Sequence, residues 1–82
     1  MLTTTRKQRD EIRRQYPGVV LILQIAGTYA AYEEDAATLT EHARDLVTVE
    51  PKRVTVTPAN LRAVTQRLVD AGCRVGVCEE AP

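Results

Sequence analysis

The 82-residue sequence contains no Phe and no Trp, and its aromatic side chains are three tyrosines, Tyr16, Tyr29 and Tyr32. That shortage excludes the aromatic stacking strands with which many sheets hold single-stranded RNA. It also means that Val, Leu, Ile and Ala have to fill the core. Cysteine is scarce: Cys73 and Cys78 form no Cys-x-x-Cys pair, and His42 is the single histidine. No zinc-ligand spacing results, so no metal is expected. If residues 74 to 79 form a strand, the two thiols point to opposite faces and cannot bridge each other. Free thiols fit a reducing compartment, and the expected location is cytoplasmic. Long apolar runs are missing as well. The longest, Val19 to Leu23, is too short to cross a membrane, and the charged segment before it is unlike a signal peptide. Gly72 and Gly76 lack the Gly-x-Gly-x-x-Gly spacing of a phosphate loop, and no cofactor motif is present. Net charge is absent too: eleven basic and eleven acidic side chains cancel, which argues against a strong, indiscriminate nucleic-acid binder.

The charges that are there are segregated. Residues 1 to 14 carry Arg6, Lys7, Arg9, Arg13 and Arg14 against Asp10 and Glu11. Residues 33 to 50 carry Glu33, Glu34, Asp35, Glu41, Asp45 and Glu50 against Arg44. Residues 52 to 74 are basic again, with Lys52, Arg53, Arg62, Arg67 and Arg74 against Asp70. A neutral chain can therefore present a basic face and an acidic one.

The length suits one small domain with one core, here residues 1 to 82. Thr4 or Thr5 can cap a first helix that runs to about Gln15 and is stopped by Pro17 and Gly18. Its apolar residues are few (Leu2, Ile12 and Tyr16), so it is mostly solvated. "VVLILQI" reads as a central strand buried on both faces. "TYAAY" continues it as a bent strand or returns as a hairpin, with small residues at the bend. Asp35 can cap a second helix from Ala36 to about Leu46, with a stripe of Ala36, Leu39, Ala43 and Leu46. Val47 and Val49, then Val54 and Val56, alternate with polar residues around a Glu50-Pro51-Lys52 turn and read as two short strands. Thr57 caps and Pro58 opens a third helix with a stripe of Leu61, Val64, Leu68 and Ala71, closed by Gly72. "RVGVCEE" is the last strand. The order is α-β-(β)-α-β-β-α-β. The fold class is α/β (α+β): a single mixed sheet flanked by about three helices.

These landmarks, in this order, resemble the N-terminal mismatch-recognition domain (domain I) of MutS DNA mismatch repair proteins. That family has an apolar strand, a G-D-F-Y-E-L-F-like tip, an acidic D-A helix start, a helix like Y-L-x-R-L-V-x-x-G-Y and a final strand like K-V-A-I-C-E-Q. Here stand Val20 to Ile25, "AGTYAAY", Glu34-Asp35-Ala36, "NLRAVTQRLVDAGC" and "RVGVCEE". The match spans roughly residues 15 to 80, with residues 1 to 14 a basic helical extension. It is most specific at Leu68, Val69, Gly72, Val75, Val77, Cys78 and Glu79. The resemblance implies DNA binding, in which a Phe wedges beside a mismatch and a Glu bonds the displaced base. A mispaired step is the cheaper one to unstack. This sequence departs at that point. Thr28 stands at the Phe position and Ala30 at the Glu position, while Tyr29 keeps the family's Tyr and Ala26-Gly27 replaces Gly-Asp. MutS proteins also have connector, lever, clamp and ATPase parts. Whether this domain stands alone or is one piece of a larger chain is open.

The candidate DNA contacts are Arg6, Lys7, Arg9, Arg13 and Arg14, the tip residues Gly27, Thr28, Tyr29 and Ala30, and Arg62. Phosphate contacts of this kind position a protein without reading sequence. The expected function is that of an accessory, non-enzymatic DNA-binding domain that has lost the mismatch-reading pair. Its partner would be duplex or mismatched DNA, held weakly or without mismatch specificity. The alternative is a protein-interaction or scaffold module with an acidic patch of Glu33, Glu34, Asp35 and Glu41 beside the tip, which would repel phosphate. Asp45, Glu50 and Lys52 imitate a metal-dependent nuclease pattern, but Pro51 sets them in a turn where a rigid strand is needed. His42 lacks a nucleophile partner in sequence.

Overall fold

The structure, a computed structural model, describes residues 6–79, with side chains from Asp10 onward. Helix α1 is Arg6–Gln15, strand β1 Val19–Ile25, strand β2 Thr28–Tyr32 and helix α2 Glu33–Ala43. A short 3-10 turn, Arg44–Leu46, leads to strands β3, Thr48–Val49, and β4, Arg53–Val56. Helix α3, Pro58–Asp70, and strand β5, Arg74–Cys78, complete the order. The expected caps Thr4 and Thr5, and Leu2, lie outside the described residues.

One five-stranded mixed sheet results, in the order β3-β4-β2-β1-β5. β1 and β5 run parallel, with Val20 opposite Val75 and Leu23 opposite Cys78. The remaining pairs are antiparallel. Period-two alternation splits β1 between the two faces. Val20 and Ile22 join Tyr29, Ala31, Val54 and Val56 under α2 and α3, where Leu39, Ala43, Val64 and Leu68 close the core. Leu21 and Leu23 point to the opposite face and are also buried. β1 is thus the two-sided strand that its unbroken apolar run implied.

TYAAY returns as a hairpin: Leu23 faces Ala30 and Ile25 faces Thr28. The link is the two-residue turn Ala26-Gly27, with positive φ at both residues, 50° and 80°. That pairing of signs is the one that matches strand twist in tight hairpins. Gly27 adopts it freely, whereas Ala26 does so against its Cβ.

α2 starts earlier than expected. It opens at Glu33, whose φ is also positive at 52°, with Tyr32 at the N-cap position. Asp35 is no cap. It lies inside the first turn and is buried. The α-helix then stops at Ala43, and residues to Leu46 tighten into the 3-10 turn. Its stripe survives, with Leu39 and Ala43 fully buried and Ala36 and Leu46 packed at the rim. Thr57 does hold the N-cap position of α3, but its side chain makes no capping bond, and the Asn60 amide donates to the Thr57 carbonyl instead. Ala71 is exposed rather than part of the stripe, because it is the C-cap and the chain is already leaving the helix. Gly72, with φ 88°, then closes a Schellman motif: Cys73 N–H donates to Leu68 O and Gly72 N–H to Val69 O, both at 2.9 Å. β3 is shorter than the valine alternation suggested, and Val49 is 54% exposed at the sheet's edge.

Two expected outcomes follow from this packing. Replacing Ala26 with Asn, which tolerates the left-handed region, is expected to raise stability by about 0.5–1 kcal/mol. A higher urea midpoint at unchanged slope would register it, and a lower midpoint would refute the turn geometry. Burial raises the Cys78 pKa. A raised pKa means that the folded state holds this proton more tightly than the unfolded one. The resulting stability is complete below the ordinary thiol range, near pH 8.5, and is lost as pH rises through the higher folded value. Iodoacetamide labelling of Cys78 in the native protein should therefore rise with pH later than labelling of the urea-unfolded chain. Coincident profiles would contradict the burial.

Candidate nucleic-acid interface

The sheet has two ends, and they collect different residues. At one end lie the β1–β2 turn, the C-terminus of β4, the start of α3 and the C-terminus of β5. Ala26 and Gly27 are exposed there, as are Thr57, Pro58 and Ala59. Thr28 is half-buried, and its Oγ1 donates to the Val56 carbonyl at 3.0 Å, which ties the hairpin to the strand that feeds α3. Arg62 follows four residues into α3, about 6 Å along the helix axis at 1.5 Å per residue. It is exposed and has no ion-pair partner among the described residues. The turn and Arg62 are therefore brought to one end.

Not every tip residue reaches that surface. Tyr29 is 8% exposed and packs under the helices, and Ala30 is fully buried on the opposite face. Both were expected as contacts, and neither offers a side chain to a ligand. The cause is strand pairing: Tyr29 lies between Gln24 and Val56, and Ala30 between Leu23 and Thr55. An alternating strand inside a sheet that is covered on both faces has no free side. Thr28 and Ala30 share the face against which α1 lies.

The basic helix also divides. The side chains of Arg6, Lys7 and Arg9 lie outside the described residues. Arg14 is exposed. Arg13 is engaged: its Nη1 donates to the Val19 carbonyl at 2.6 Å, and its Nη2 donates to Asp35 Oδ2. Arg13 is therefore a structural donor in this arrangement, not an open phosphate ligand. Arg13 and Arg14 sit beside the start of β1, at the end away from the turn.

The acidic patch is likewise displaced and reduced. Glu33 to Asp35 follow β2 at the end opposite the turn, separated from it by five residues, about 17 Å of strand. They are not beside the tip. Asp35 is buried and paired, which leaves Glu33, Glu34 and Glu41 exposed. Asp10, Arg13, Leu21, Leu23, Tyr32 and Glu33 to Asp35 line a cleft of about 160 Å³ between α1 and the sheet.

The nuclease-like trio is drawn into separate pairs. Asp45 accepts from Arg67 across to α3, and that bond holds its carboxyl below the usual range. Glu50 accepts from Arg53 Nε at 3.3 Å. The Arg53 guanidinium is pushed further up, first by the Tyr32 hydroxyl and then by Glu50. Lys52 is exposed in the turn. No group of three or more His, Cys, Asp or Glu among the described residues could hold a metal ion. His42 is partly exposed, 3.9 Å from Glu41. Asp35 as a buried anion escaped the sequence, because helix-start acids are normally caps or solvated.

A search of curated proteins returned no match. The MutS domain I family model, in contrast, matches residues 3–82, almost the whole chain. The mixed sheet with three helices is compatible with that domain's fold. A model match of this extent, on a chain whose strand-turn-strand tip, acidic helix start and closing strand fall in the family's order, shows that the protein belongs to the MutS domain I family of DNA mismatch-recognition domains.

Proposed function

We propose that this chain is an accessory, non-catalytic MutS-type domain that holds duplex DNA weakly through phosphates and does not discriminate mismatches. One observation carries the proposal. Thr28, which the resemblance aligns with the family's Phe, has its hydroxyl spent on Val56, and Ala30, aligned with the family's Glu, is fully buried. A threonine cannot fill a kinked base step, and a buried methyl cannot bond a displaced base. Among the residues exposed at this end are Gly27, in the turn, and Arg62, a cation that suits phosphate contact. Arg6, Lys7, Arg9 and Arg14 of α1 supply further cations. With no net charge overall, binding is weak and strongly salt-dependent. The free thiols suit action in the cytoplasm.

NMR titration with matched, mismatched and bulged duplexes, at low and moderate salt, tests this. Shifts at residues 26–28 and 62 of similar size for every duplex are expected. No shift with any duplex at low salt would discard DNA binding in favour of a protein-interaction module. Arg62→Ala should lower the slope of log K against log salt by about 0.9, the share of one phosphate contact. An unchanged slope would remove Arg62 from the interface. Thr28→Phe restores a wedge at the exposed end without disturbing buried Ala30. It should create a preference for mismatched over matched duplex, and equal affinities would refute the alignment of the tip.

A further inference from the structure

Asp35 stands out as a charged side chain that is buried, 8% exposed, in the first turn of α2. Its carboxylate meets Arg13 of α1, and the same guanidinium reaches the carbonyl of Val19, the first residue of β1, at 2.6 Å. One planar fork thus joins three elements, a task that its fixed donor geometry suits and an ammonium does not. Among its described residues α1 has little else to hold it. Among its described side chains, Ile12 is half-buried, while Asp10, Glu11, Arg14 and Gln15 are exposed. A helix of ten residues with so little apolar burial is not stable by itself. Its place on the sheet therefore depends on specific ties, and Arg13 makes two of them.

We propose that Arg13 and Asp35 are a positioning pair that docks α1 on the sheet and thereby sets where Arg6, Lys7 and Arg9 meet phosphate. The last part rests on the DNA-binding reading above. Arg13 does not serve as a phosphate ligand itself, since leaving Asp35 would strand a buried carboxylate without its counter-charge. The pair acts through the helix it holds. The cations that benefit are one and two turns further up α1.

Two variants of the full chain, Asp35→Asn and Arg13→Lys, separate these roles. Amide hydrogen exchange and duplex titration at low salt are measured on each. In both variants the amides of residues 10–16 should exchange about tenfold faster or more, with little change in β1 and β2. Duplex affinity should fall by about threefold or more as the α1 cations lose their place. The sign for Asp35→Asn decides between roles: deleting a negative charge tightens binding if Arg13 is a phosphate ligand and loosens it if Arg13 docks the helix. Tighter binding, unaltered exchange in α1, or exchange accelerated equally throughout the sheet would each overturn the proposal. If the unaltered protein binds no duplex, the DNA reading fails, yet exchange alone still reports whether the pair holds α1.

Discussion

Ile22 and Leu23 are neighbours in the chain, point to opposite faces of the sheet, and are 0% and 1% exposed. Burying both sides of β1 is the constraint on which the other elements depend. α2 and α3 cover one face, and their stripes of Leu39, Ala43, Val64 and Leu68 exist to do so. The other face, with Leu21 and Leu23, lies toward α1 and the Arg13–Asp35 bridge. β2 inherits this condition through its pairing, and its side chains sink to one face or the other. Thr28 and Ala30, which the resemblance sets at the family's reading positions, stand on β2. The same burial that stabilises the sheet therefore withdraws Ala30 from any ligand.

Charge follows the two ends of the sheet. Toward the end away from the turn, Arg53 and Glu50 neutralise each other, and Arg13 neutralises Asp35. The solvent-facing Arg53–Glu50 pair contributes little to stability but cancels field locally, whereas Asp35 is buried and depends on Arg13 for its counter-charge. At the turn end Arg62 keeps its charge uncompensated among the described residues. Glu79, exposed just past β5, lies at the same end, so that end carries charge of both signs.

Strand and helix order was legible from the sequence because each element has a strong period or a hard stop. The unbroken β-branched run of β1 announced burial on two sides. Pro58 and Gly72 marked the ends of α3 by chain geometry alone. The second helix was misplaced because three acids in a row look like a solvated helix start, and Asp35 was assigned as a cap. Nothing local says that an arginine 22 residues earlier neutralises it in the interior. The tip was legible only as a bend, since its small residues permit a kinked continuation as well as a hairpin return, and the pairing of β2 with β1 decides for the hairpin. Which of its flanking residues face outward depends on partners in β4, which only tertiary pairing supplies. For the same reason the acidic segment was taken as adjacent to the turn. Five residues of strand carry it to the far end.

The parallel pairing of β1 with β5 joins the first described strand to the last. During synthesis on a ribosome, β1 emerges some fifty residues before the segment that covers its second edge. Until Arg74 to Cys78 arrive, the most hydrophobic stretch of the protein has an open flank onto which another nascent chain can pair. The domain can therefore complete its sheet only after translation of its final strand, and any protection of β1 before then has to come from the hairpin with β2 or from a chaperone.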